Sequence, residues 1–255
     1  VSQRSQLFFF AHQDDEFGVY AAIADAVAVG ERAVCVFLTD GALGGEPARR
    51  DAESRAVLTA LGVDANDLHF LGVANGILDG KLYESLPVVA RLVGEWIDRM
   101  PAGTRIHVPA WEGGHHDHDA LHAVVALLLH ARGRLADARQ FSLYNARGCP
   151  GPFFRVLSPL PANGPVDRRR LRVGERWRQL RDCLRYPTQR TTWLGLFPFV
   201  AWHMLWRGSA ALQPLSAARV LERPHAGRLY YEKRGFLGYD VLRVAIDAWR
   251  AQGAA

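Results

Sequence analysis

Four of the ten histidines of this chain fall in two short, acid-rich stretches. The first is Ala11-His12-Gln13-Asp14-Asp15-Glu16 and the second His115-His116-Asp117-His118-Asp119. A catalytic divalent metal such as zinc takes three protein ligands from His, Asp or Glu and keeps a position open for water. His12 and Asp15 are three residues apart, a spacing that puts both on one side of a turn entering a helix. His118 can supply the third ligand from the second stretch. Asp14 is then free to take a proton from water, whose pKa a metal lowers towards ~7. His115 can stabilise an oxyanion or protonate a leaving amine, and Asp117 can orient or charge a histidine. Structural readings compete. Asp14, Asp15, Asp117 and Asp119 could each cap a helix. His116 reads as solvent-facing, and His122 as a packed helix residue pointing away from the site. Two such clusters together favour a metal hydrolase.

The elements around the clusters must bring them together. Leu7 to Ala11, Ala33 to Leu38, Leu68 to Leu71, Arg105 to Val108 and Phe141 to Asn145 read as strands. Phe17 to Gly30, Pro47 to Leu61, Leu86 to Met100 and Ala120 to Ala131 carry helical periodicity. Alternating strands and helices imply an α/β fold with a mostly parallel sheet and helices on both faces. The clusters follow the first and fourth strands, on the edge where such sheets place their sites. The remainder is less regular. Gly148 to Pro165 reads as a long loop, Arg168 to Arg185 as a basic helix, Thr191 to Trp206 as an aromatic apolar segment, Arg228 to Glu232 as a strand and Tyr239 to Ala251 as a helix. We expect one domain over 1–255, with a core at 1–147 and an extension at 148–255 that shapes the substrate site.

Composition narrows the function class. No apolar run reaches the roughly 18 residues a membrane span needs. The start, Val1 to Gln6, is polar, and Leu7 to Ala11 is shorter than a signal-peptide core. Cys35, Cys149 and Cys183 share no short spacing, which argues for a reducing compartment and against cysteine as a zinc ligand. The expected location is cytoplasmic, with peripheral membrane contact allowed. The formal charge is +5, and residues 147–190 hold eleven Arg against Asp167, Glu175 and Asp182. That strip suits phosphate, anionic lipid or nucleic acid, or is simply a solvated face.

In their order these residues resemble the LmbE-like, or PIG-L, de-N-acetylase family. Ala11 to Glu16 is similar to its Ala-His-Pro-Asp-Asp-Glu motif, with Gln13 in place of proline. Thr39-Asp40-Gly41 follows strand two. Arg50, Glu53, Leu61 and Gly62 match an Arg-x-x-Glu helix ending in Leu-Gly. His115, Asp117 and His118 match the His-x-Asp-His motif, and Pro187-Thr188-Gln189 is a weaker echo. The resemblance implies a Rossmann-like fold and a single zinc held by His12, Asp15 and His118; Fe(II) or Co(II) suit the same ligands. It implies removal of an N-acetyl group from an N-acetylglucosamine-containing small molecule or glycoconjugate, with release of acetate. Asp14 would be the base, His115 the acid or oxyanion stabiliser tuned by Asp117, and Arg50 and Asp79 the sugar contacts. Gly113 and Gly114 stand where relatives of thiol-cofactor pathways carry an aromatic residue, so their substrates are not expected here. Two rival classes are a metal-dependent phosphoesterase and a non-catalytic binder of nucleic acid or anionic surfaces.

Overall fold

A computed structural model describes residues 4–42 and 45–253; Val1 to Gln3 of the polar start lie outside the described residues. The strands are β1 (Ser5–Phe10), β2 (Arg32–Phe37), β3 (Leu68–Phe70), β4 (Arg105–Pro109), β5 (Ala138–Phe141), β6 (Tyr144–Asn145), β7 (Arg155–Val156), β8 (Asp167–Arg170) and β9 (Ser209–Pro214). The helices are α1 (Tyr20–Ala28), α2 (Pro47–Leu61), α3 (Gly72–Asn75), α4 (Leu86–Arg99), α5 (His116–Ala131), α6 (Val173–Cys183), α7 (Arg190–Trp206), α8 (Tyr230–Lys233) and α9 (Tyr239–Ala251).

Seven strands form one sheet in the order β3-β2-β1-β4-β5-β9-β8. The first five are parallel, and β9 and β8 add antiparallel at the edge. Strand β1 is a continuous apolar run because both its faces are covered. Leu7 and Phe9 enter a core with α4, α5 and α9, whereas Phe8 and Phe10 enter a core with α1, α2, α6 and α7. The chain leaves β1 towards β2 on one side and later returns to β4 on the other. This reversal of strand order opens a crevice at the carboxyl ends of β1 and β4, where ligands of such sheets bind. The fold is therefore α/β with a mostly parallel sheet, as the strand and helix pattern implies.

Three expectations are corrected. The fifth sheet strand is Ala138–Phe141; beyond it, Tyr144–Asn145 turns away to pair with Arg155–Val156. The basic segment is not one helix, because residues 167–170 form the edge strand β8 paired with β9. Exposed arginines on an edge strand also discourage pairing with other chains. Helical propensity yields there to a long-range partner that no local pattern announces. The expected strand at 228–232 is helical: Glu232 turns back to accept from the Leu229 N–H at 2.8 Å, the reciprocal bond of a helix start. Strand β9 itself is legible in no local alternation.

Candidate metal centre

The first cluster leaves β1 in a tight turn. Asp14 sits at φ 98°, a left-handed conformation that costs a non-glycine residue on the order of 1 kcal/mol. Asp15 is buried, and its Oδ2 accepts the backbone N–H groups of Ala11 and His12 at 3.0 and 2.8 Å. This fixes the carboxylate and leaves Oδ1 facing His118 Nε2 at 2.8 Å. Neither aspartate caps a helix through its side chain there; Asp14 makes no such bond at the turn it begins.

The second cluster opens α5. Gly113 adopts φ +71°, and a Cβ on Gly114 would stand 2.0 Å from the Tyr144 carbonyl oxygen. The glycine pair therefore lets this loop pass beneath β6. His115 Nδ1 accepts from the Asp117 N–H at 3.2 Å and so starts the helix. Asp117 is fully buried, and its carboxylate accepts from Gly80 N at 2.7 Å and Leu82 N at 3.1 Å. It also lies 3.0 Å from His12 Nε2. The carboxylate thus bonds to His12, and Asp117 acts on His115 through its backbone N–H and its charge. Asp119 accepts from the N–H groups of Glu112 and Gly113, pulling the loop onto the helix rather than capping it.

His12 Nε2 lies between Asp117 and Asp79 (3.2 Å) and so carries its proton there. Its Nδ1 lone pair then points at His118 Nε2, 3.2 Å away. Donor atoms of His12, Asp15 and His118 all lie within 4.8 Å of one another, a group that can hold a metal ion. Two further groups, His12 with Asp79 and His115, and His115 with His116 and Asp117, meet the same distance. They are poorer ligand sets. The His12 nitrogen near Asp79 is already taken, and His116 Nε2 lies 2.9 Å from the Gly80 carbonyl.

His116 is not solvent-facing. The Gly80 loop, Tyr83 and Tyr231 cover it, and its ring stacks on His115 at 4.4 Å. His122 is buried one turn deeper with Nδ1 2.9 Å from the Pro109 carbonyl, outside the ligand group.

Electrostatics divide the two adjacent aspartates. Burial pushes the Asp14 carboxyl up to about 8; Arg50 opposes this, and the charges of Asp15 and Glu16 reinforce it. Burial acts on Asp15 too, but His118 and His12 outweigh it and hold that carboxyl far below its usual range. Burial, reinforced by the charge of His12, pushes His115 well below the ordinary histidine value. With Nδ1 accepting from Asp117, the neutral ring carries its proton on Nε2.

Arg50, from α2, gathers the loops. It donates to Gln13 O at 2.5 Å, Asp14 Oδ1 at 3.4 Å and Asp79 Oδ2 at 3.3 Å. With its amide oxygen turned inward, Gln189 accepts from the same guanidinium at 3.1 and 3.2 Å. One turn along α2, Glu53 accepts from the Thr188 N–H (3.0 Å) and hydroxyl (2.5 Å). The Arg-x-x-Glu helix and the Thr-Gln turn, far apart in sequence, thus meet at the rim of the site.

Sequence reasoning missed three supports. Glu112 accepts from the Ser142 hydroxyl, Leu143 N (2.6 Å), Tyr144 N (2.9 Å) and the Asn145 amide (3.1 Å). It thereby sets Tyr144 edge-on to His118, ring centres 5.8 Å apart. Buried Glu16 accepts from the Tyr186 hydroxyl at 2.7 Å and the Asp14 N–H at 2.9 Å. Glu16 belongs to the first motif and its acidity was visible; nothing local marks Glu112 or Tyr144.

The profile of the PIG-L family, described as GlcNAc-PI de-N-acetylase, matches residues 7–129. No curated protein sequence matches. Among solved structures, the zinc-inhibited form of teicoplanin deacetylase Orf2 superposes with TM-score 0.62 at 18% identity, over 83% of this chain and 98% of its own. N,N'-diacetylchitobiose deacetylase from Pyrococcus horikoshii gives 0.60 at 15% identity, over 88% of each chain. The 4-carboxy-2-hydroxymuconate hydratase GalB of Pseudomonas putida KT2440 gives 0.53 at 14% identity, over 84% and 95%. Deacetylases and a hydratase share this fold, so the fold alone does not choose the chemistry.

Proposed function

Because the chain carries a PIG-L (LmbE-like) family domain, we propose that it is a zinc-dependent N-deacetylase acting on an N-acetylglucosamine-containing substrate. The observation that carries this reading is the division of labour at the β1 and β4 ends. Three donor atoms lie within 4.8 Å of one another, with His115 packed against both histidines and the Asp14 carboxyl in the adjoining turn. The names of the similar structures, which include a teicoplanin deacetylase and an N,N'-diacetylchitobiose deacetylase, support it further.

His12, Asp15 and His118 would hold the zinc, and their mixed nitrogen and oxygen donors suit it. Bound there, zinc supplies Lewis acidity, polarising the acetamide carbonyl and making water a stronger nucleophile near neutral pH. Asp14 takes a proton as the water oxygen bonds to the carbonyl carbon. His115 donates from Nε2 to the carbonyl oxygen as negative charge builds on it. Asp14, whose carboxyl binds a proton readily in this buried place, returns the proton to the amine nitrogen as the C–N bond breaks. Acetate and the free amino sugar leave. Arg50 has most of its donors committed to Gln13, Asp14, Asp79 and Gln189, so we assign it the positioning of Asp14 and Asp79. Asp79 keeps partial exposure and remains the better candidate for a sugar hydroxyl.

The test is acetate release from a panel of N-acetylglucosaminyl compounds with free, phosphorylated, lipid-linked and oligomeric acceptors. Zinc-reconstituted protein should release acetate and a primary amine in equal amounts from at least one. Phosphate release from a phosphomonoester, with no acetate from any acetamide, would replace this reading with the phosphoesterase.

A further inference from the structure

We propose that the outer face of α7, with the arginines around it, docks onto an anionic lipid bilayer at the boundary between headgroups and acyl chains. A helix on a protein surface normally turns polar residues outward, and α7 does not. Its inner side, Trp193, Leu196, Val200 and Met204, is part of the core. Its outer stripe runs Arg190, Leu194, Pro198, Trp202 and Trp206 at four-residue spacing, with Leu205 beside the end. Leu194 is 81% exposed, Trp202 62%, Leu205 60% and Trp206 75%. Trp202 and Trp206 stack at 4.6 Å, forming one flat apolar surface. The neighbouring helix α6, which packs on α7, leaves Trp177 exposed as well, and Leu184, just beyond its end, is also exposed.

Charge selects the occupant. Arg168, Arg178, Arg190 and Arg207 are exposed and form no ion pair among the described residues. Of the three acids in the strip, Glu175 pairs with Arg169, and Asp182 with Arg181 and Arg185. A second copy meeting face to face would bring these arginines against each other. An anionic bilayer offers them lipid phosphates and offers the tryptophans the headgroup level that such rings favour. No described helix is long and apolar enough to cross a membrane, so α7 lies on the surface. The helix begins at Gln189, against Arg50 at the rim of the metal centre. Docking therefore brings that rim near the bilayer. The inference does not depend on the proposed reaction, since binding is measured without substrate.

The test uses the full chain and vesicles of phosphatidylcholine containing about one-third phosphatidylglycerol. Flotation should carry the protein with these vesicles, weakly with phosphatidylcholine alone, and less as salt rises. The double variant Trp202→Ser, Trp206→Ser should bind ~10-fold or more weakly while keeping the circular dichroism of the parent. Bromine placed in the upper acyl chain should quench the tryptophan fluorescence of the unaltered protein, a readout that needs no variant. Absent flotation, absent quenching, or a parent that is a dimer dissociated by the double substitution would each overturn the proposal.

Discussion

At the scale of single residues, the adjacent pair Asp14 and Asp15 is the sharpest case. Both are buried carboxylates in one turn, yet their partners differ. Asp15 spends one oxygen on two backbone N–H groups and turns the other to His118. Asp14 faces Arg50 and keeps a proton affinity raised to about 8. Asp15→Asn should therefore lose metal affinity, with partial recovery of activity in excess zinc. Asp14→Asn should keep the metal, because asparagine tolerates the left-handed backbone there, while kcat falls by ~10²–10⁴. Metal content by mass spectrometry and kcat on both variants decide it. A metal-free Asp14→Asn beside a metal-replete Asp15→Asn would reverse the roles. Spacing along one turn was enough to pair His12 with Asp15, and the second acid-and-His cluster together with the family resemblance nominated His118. It could not reveal that His116 is covered, because its cover comes from the Gly80 loop and Tyr231, distant in sequence.

At the scale of elements, the β-α units of the first half were legible because the central strands β1 and β2 are buried on both faces and carry apolar runs at Leu7–Phe10 and Ala33–Phe37, each followed by a helix pattern. The antiparallel strands β8 and β9 were not, since one is arginine-rich and the other has no alternation to see. The glycine pair before α5 shows how a loop is shaped by what passes over it. A methyl group on Gly114 would strike the Tyr144 backbone, which Glu112 pins with its own hydrogen bonds. Neither partner can give way cheaply, unlike the end of a flexible side chain. Gly114→Ala should destabilise the protein by ~1–3 kcal/mol and move Tyr144 away from His118. Thermal melting in the presence of chelator reports the first effect, and kcat/KM with zinc restored the second. An unchanged melting temperature would show that the loop has slack the packing does not reveal. Gly113→Ala is a useful companion, since it strains the backbone at φ +71° and also meets the Leu229 side chain.

At the scale of the whole molecule, two cores meet across one sheet, and polar groups caught between them link stability to pH. His107, on β4, is fully buried; its ring stacks on Phe8 at 4.5 Å and its Nε2 lies 2.8 Å from Gln6 Oε1. Burial, with the nearby charges of Arg105 and Arg139, lowers its pKa from the ordinary 6.5 to about 3. The native state thus keeps this ring neutral where the unfolded chain would protonate it. Below pH 6.5 the unfolded state binds the extra proton, so stability falls as pH falls, at up to ~1.4 kcal/mol per pH unit, until the native ring also titrates near pH 3. From pH 7 to pH 5 this one residue should contribute a loss of about 2 kcal/mol. Carboxyls with depressed values, Asp79 among them, lose stability in the same direction at lower pH, so the total curve alone cannot assign the share. A His107→Gln variant can. It should be less stable at pH 7, having lost the stack on Phe8, but its stability should drop by about 2 kcal/mol less than the parent's between pH 7 and pH 5. Urea unfolding of both proteins across that range, with chelator present so that metal binding adds nothing, measures the difference. Parallel curves would mean that His107 is protonated in the native state or equally shielded in the unfolded one, and that its burial between the two cores does not couple folding to pH.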